Sequence, residues 1–167
     1  MIRPEDREAL VGQVAYLVDE LHAQKAIVSF VPEPLWSAEP AGAHSLLELY
    51  GLLVALGERS YPGLVEAWGS DRSGAVSIDE VELLDSEAWN EAEPVDLIDR
   101  AVSARAAVVQ GLESVEDWSG KRTIDGREMT LADVAFRITQ EDAAILRRIG
   151  EQLQDADLGG SPVTRLS

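Results

Sequence analysis

The chain has 167 residues, 46% of them hydrophobic, with 31 acidic against 14 basic side chains, a formal charge of −17 and no cysteine. That length suits one domain with a real core. The missing cysteines exclude disulfides, thiolate zinc sites and cysteine nucleophiles, and the charge argues against nucleic acid and anionic membranes as partners.

The first predicted element follows Pro4, a proline at the first helical position, with Glu5 and Asp6 behind it where the helix dipole favours acids. Leu10, Val14, Leu17 and Leu21 form its apolar stripe, with Val11 and Val18 beside it. Pro32, Pro34 and Pro40 then crowd "FVPEPLWSAEPAG", which cannot be helical throughout. The second helix has two candidate starts. Either Ser45 caps it, with Glu48 completing a capping box, or Ser37 does so with Pro40 in the first turn. Leu46, Leu49, Leu53 and Leu56 form its stripe, with Leu52 alongside. Pro62 is expected to kink or break it, and a continuation through Leu64, Val65 and Trp68 ends at Gly69.

Residues 73–99 hold nine acids and no Lys or Arg, and read as a long connection. A third helix starts near Pro94 and carries Leu97, Ala101, Ala104, Val108 and Leu112. "WSGKRTIDGREM" is turn-rich, with Asp125-Gly126 as its strongest signal. The fourth helix opens on Thr130 as N-cap, with Asp133 three residues on. Its stripe is Leu131, Val134, Ile138, Ile145 and Ile149, and Glu141 and Asp142 stand where that stripe should continue. Residues 1–155 are read as one domain and 156–167 as a frayed tail. Four amphipathic helices without a strand pattern predict an all-α four-helix bundle, with a long crossover between helices two and three. No apolar run reaches the ~20 residues of a bilayer span. The charged opening "MIRPEDREAL" lacks a signal peptide's apolar segment, so a cytoplasmic location is expected.

"WSAEPAGAHSLLELYGLLVALGER" resembles the second-helix segment of the DinB-like (DinB/YfiT) family, in which a Trp-Ser pair opens the helix and a histidine follows about two turns later. "DGREMTLADVAFRITQEDAAILRRI" is similar to that family's turn and fourth helix, and the likeness runs over about 36–149. It implies a four-helix bundle, commonly dimeric, with one long crossover. In many members three histidines hold a divalent metal, one from the second helix and two spaced i, i+4 on the fourth. Such a pair shares a helix face, and three protein ligands leave a metal open to water or substrate. The resemblance implies thiol transfer or metal-assisted hydrolysis or isomerisation for members with that site. Here the family's ligand positions fall on His44, Glu141 and Ile145. Only one is histidine, and isoleucine ligates nothing, so the site reads as degenerate.

The expected pocket comprises His44, Glu48, Trp89, Asn90, Arg137, Glu141 and Ile145. Glu141 is expected to face it, paired with Arg137 one turn earlier, while Asp142 is expected at the edge, facing water. Trp36, Trp68, Trp89 and Trp118 are expected to close the core where helices splay. Trp89 and Asn90 are the candidates for a pocket wall. Residues 69–80, "GSDRSGAVSIDE", imitate a calcium loop through Asp71 and Glu80 but lack an acid at its first position. No Gly-x-Ser-x-Gly turn and no phosphate loop occur.

These features predict a non-catalytic or small-ligand-binding protein with no cofactor, homodimeric by resemblance. The alternative is a metal-dependent enzyme of the thiol-transferase or hydrolase type, holding a divalent ion with His44, Glu141 and Glu48. A weak calcium-binding loop at 69–80 is a second alternative.

Overall fold

In the computed structural model, which describes residues 2–40, 43–69 and 79–155, Pro4 starts helix α1 (Pro4–Gln24) at its first position, with Glu5 and Asp6 in the first turn. Val14, Leu17 and Leu21 bury its inner face against helices from the second half of the chain. A 3-10 turn follows, and Pro32 ends it by leading into the short helix α2 (Glu33–Ser37). Trp36 of α2 packs on Tyr50, with ring centroids 6.0 Å apart.

Ser45, not Ser37, caps the second bundle helix, α3 (Leu46–Ala55). The Ser45 Oγ accepts the Glu48 N–H (3.0 Å), and the Glu48 Oε1 accepts the Ser45 N–H (2.9 Å), so each orphan donor has a partner. Apart from Glu48, every residue of the helix is apolar or aromatic and buried, as a central helix must be. Pro62 does not end it abruptly. The chain widens into a π-helical turn over Leu56–Ser60, in which the Tyr61 N–H reaches back to the Leu56 carbonyl, and continues as α4 (Tyr61–Gly69). The wider turn accommodates the bond that Pro62 cannot make.

The long crossover carries helix α5 (Glu80–Asp85), capped by Asp79, and a 3-10 turn over Trp89–Glu91. Trp89 lies flat on Gly51 of α3, where a Cβ would overlap the indole, so close approach of the crossover requires glycine there. Arg100 fastens the same crossover, bonding Glu87 and Glu58 together. The third bundle helix, α6 (Pro94–Ser114), buries Leu97, Ala101, Ala104, Val108 and Leu112 as its spacing predicts.

One expectation fails between α6 and the last helix. The segment contains a two-stranded antiparallel hairpin, β1 (Lys121–Ile124) and β2 (Arg127–Thr130), with Lys121 opposite Thr130. Asp125 and Gly126 both have positive φ (52° and 78°), the signature of the two-residue turn whose twist suits paired strands. The strands are too short and too polar to announce themselves by alternation. Thr130 and Asp133 then exchange backbone-to-side-chain bonds at the start of α7 (Leu131–Asp155). Arg7 of α1 closes the far end of α6, where its guanidinium donates to the carbonyls of Glu113, Val115 and Glu116 and lies over the Trp118 ring. The helices α1, α3–α4, α6 and α7 thus form a four-helix bundle around one core. Among the described residues no helix is long and apolar enough to cross a membrane. The expected tail at 156–167 lies outside the described residues.

Candidate functional site

The two acids that interrupt the α7 stripe have different surroundings, because successive helical residues point about 100° apart. Asp142 does not face water as expected. It is 4% exposed and points into the bundle, where its Oδ1 accepts from Nη2 of Arg105 on α6 at 2.7 Å. Arg105 is itself 1% exposed, and its guanidinium lies 4.6 Å from the Tyr61 ring centroid. The correction has a physical cause: a buried guanidinium needs a buried counter-charge, and position 142 faces α6. Gly57, in the π-turn, allows this approach, since a Cβ there would lie 2.9 Å from both the Ala104 Cβ and Arg105 Nη1.

Glu141 stands beside this pair and belongs to the rim of a cavity. Its Oε1 accepts from Arg137 Nε at 3.1 Å, the pairing expected from the sequence, and its Oε2 accepts from the Tyr61 hydroxyl at 2.9 Å. The same hydroxyl lies 3.5 Å from Asp142 Oδ1. A continuous polar network therefore runs from Arg105 in the core through Asp142, Tyr61 and Glu141 to Arg137. Among the described residues, its buried atoms Arg105 Nε and Nη1 and Asp142 Oδ2 have no hydrogen-bond partner. Burial pushes the Asp142 carboxyl up to about 6 despite the adjacent Arg105, and the neighbouring Glu141 charge adds to the rise. Burial likewise holds the Tyr61 hydroxyl well above its ordinary value, with the Asp142 charge contributing.

The cavity beyond Glu141 measures about 270 Å³ and is lined by Leu52, Leu56, Ala144 and Ile145, with Glu80, Arg137, Glu141 and Arg148 as its charged members. Residues 137, 141, 144, 145 and 148 recur at helical spacing, so a single face of α7 supplies most of it. Glu80, the first residue of α5, pairs with Arg148 at 2.9 Å across its mouth.

His44 is not on the second helix. It precedes the Ser45 cap and lines an adjoining hollow of about 330 Å³ with Pro40, Leu49, Arg148, Glu151 and Gln152. Its Nδ1 lies 3.9 Å from Glu48 Oε2. Glu48 serves the capping box. Burial raises its carboxyl, but hydrogen bonds, led by the one from the Ser45 backbone, outweigh this and leave it below the ordinary value. Arg148 is common to the linings of the His44 and Glu141 hollows. Trp89 is buried on Gly51, with its Nε1 donating to the Leu83 carbonyl at 3.3 Å. Asn90 lines a separate hollow of about 440 Å³ with Trp36, Leu47 and Pro94, and its Oδ1 accepts from the Ser45 hydroxyl. The structure thus brings Arg137, Glu141 and Ile145 together, sets His44 and Glu48 one cavity away, and places Trp89 and Asn90 elsewhere. It adds Tyr61, Glu80, Arg105, Asp142 and Arg148, which sequence reasoning left out of the site.

Among the described residues no three His, Asp or Glu side chains converge as a metal-binding set. Of the calcium-like segment, positions 70–78, including Asp71, lie outside the described residues, and the Glu80 carboxylate is engaged with Arg148.

No family model and no curated protein matches the sequence. The structure is similar to that of YfiT from Bacillus subtilis, described as a probable metal-dependent hydrolase with an unusual four-helix bundle topology. The TM-score is 0.77 over 93% of this chain and 90% of that one, at 12% sequence identity. The chain therefore has the YfiT-type, DinB-like four-helix bundle fold.

Proposed function

We propose that this chain uses a YfiT-type bundle as a non-catalytic, small-molecule-binding protein, and that its metal-ligand positions have been converted to other uses. The observation that carries the reading is the state of position 141. Both Glu141 oxygens are already engaged, one by Arg137 and one by Tyr61. The second fourth-helix position is Ile145, which forms the apolar floor of the cavity. Catalytic metal sites of this kind need three protein ligands with an open position. Among the described residues His44 belongs to no such set of three, and its Nδ1 lies 3.9 Å from Glu48. The residues do not fit a divalent ion. What they do fit is a small ligand seated on Leu52, Leu56 and Ile145 with its polar end among the rim charges.

The test is elemental analysis of protein purified without chelators, followed by calorimetric titration with zinc, nickel and calcium. The expected result is no stoichiometric metal and no tight binding of any of the three. A tightly bound, stoichiometric metal overturns the reading in favour of the metal-enzyme alternative, which the His44–Glu48 contact and the description of YfiT support. In that case His44→Ala abolishes binding. The same proposal carries homodimeric assembly and a cytoplasmic location, the first checked by light scattering of the purified protein.

A further inference from the structure

The cavity beside Glu141 contains four ionised side chains, and they are not equivalent. Glu141 is locked at both oxygens, so Arg137 faces a carboxylate that cannot leave without breaking the Tyr61 bond as well. Each arginine is engaged through one nitrogen, Arg137 by Nε and Arg148 by Nη1, but Arg148 is held by the looser partner, a single oxygen of Glu80 at 2.9 Å. Among the described residues that oxygen has no second hydrogen bond, and Nε and Nη2 of Arg148 are engaged by no hydrogen bond. Glu80 is half exposed and belongs to a helix of six residues, so it can swing out at small cost. The free edge of a guanidinium presents two parallel donors that match the two oxygens of a carboxylate. Behind Arg148 the wall is apolar: Leu52, Leu56 and Ile145 are each 5% exposed or less.

We infer that Arg148 is the recognition group of this cavity, and that the ligand is a small monocarboxylate with an apolar body, for which Glu80 is the resident stand-in. The proposal rests on the reading that the cavity binds a small molecule. The volume of about 270 Å³ lies just under the range of drug-sized sites, which limits the apolar body to a short chain or one ring. The chain's negative charge does not prevent such binding, because charges more than ~8–10 Å away are screened at ordinary salt while Arg148 makes direct contact. An amine ligand is disfavoured, because both Glu141 oxygens are occupied and Glu80, once released, leaves the Arg148 charge facing the cavity.

The experiment compares octanoate, 1-octanol and octylamine, which share a chain and differ in head group, by calorimetry on the full-length protein. Octanoate is expected to bind about tenfold or more tighter than the other two, the size of one charge-assisted hydrogen-bonded contact. Arg148→Gln should bring octanoate down to the octanol level without changing octanol. Arg148→Lys, which keeps the charge and the helix but loses the fork, should weaken octanoate in part. Glu80→Gln, by removing the internal competitor, should tighten octanoate severalfold. Equal binding of octanoate and octanol overturns the carboxylate proposal while leaving small-molecule binding intact, and so does a preference for octylamine. No binding of any of the three overturns both.

Discussion

Replacing Arg105 with methionine removes the guanidinium while keeping most of the side chain's apolar bulk. Its partner Asp142 is then a carboxylate in the bundle core whose remaining neighbours are the Tyr61 hydroxyl and the like charge of Glu141. Loss of one member of a buried pair typically costs about 3–5 kcal/mol. The cost must depend on pH. Even with Arg105 present, the folded Asp142 titrates at about 6, above its ordinary 3.8, so between those values the folded state holds a proton that the unfolded state has released. Wild-type stability from this group is therefore greatest below pH 4 and falls as pH rises towards 6, by about 3 kcal/mol at ~1.4 kcal/mol for each pH unit. Without Arg105 the folded carboxyl rises further, and the loss extends above pH 6. Urea unfolding at pH 5 and pH 8 reads the difference directly. The variant should be destabilised by about 3–5 kcal/mol at pH 8, and by roughly 1–3 kcal/mol at pH 5, where Asp142 is largely neutral in both proteins and mainly packing and hydrogen bonding are lost. A penalty equal at the two pH values, or below about 1 kcal/mol at pH 8, refutes the view of Asp142 as a buried counter-ion.

Two further substitutions probe the frame that positions the cavity. Gly51→Ala forces a methyl group into the Trp89 indole and should cost about 1–3 kcal/mol, seen as a lower urea midpoint with altered tryptophan fluorescence as the crossover lifts. Ser45→Ala removes the acceptor for the Glu48 N–H and the donor to Asn90, and should cost about 1–2 kcal/mol by thermal unfolding.

The helices were legible because their signals are local and repeated: Pro4 at the start of α1, the Ser45–Glu48 box, and the apolar spacing of α6 and α7. The hairpin was not, since four-residue strands such as "KRTI" carry no alternation and only Asp125-Gly126 speaks for them. In the site, the Arg137–Glu141 pair was legible because both partners lie on one helix. The Arg105–Asp142 pair was not, because its partners sit 37 residues apart on facing helices. A signal for it did exist. A charge at position 142 within an otherwise apolar stripe demands an opposite charge on a facing stripe, and Arg105 directly follows Ala104 on the buried face of α6. His44 was misplaced for a different reason: the likeness put it on the helix, whereas the Ser45 cap starts the helix one residue after it.

The clasp of Arg7 on the end of α6 has a consequence for the order in which the protein is made. The residues it joins are 106 to 109 positions apart, and the apolar face of α1 packs on helices that begin at position 94 or later. At the ~5–20 residues per second of synthesis, Val14, Leu17 and Leu21 must wait roughly 5–20 seconds on the ribosome before their partners exist. Throughout that interval the first helix is a sticky, unaccompanied segment. Chaperone demand should therefore be greatest between the emergence of α1 and that of α6, and drop once α6 and its closing turn are out.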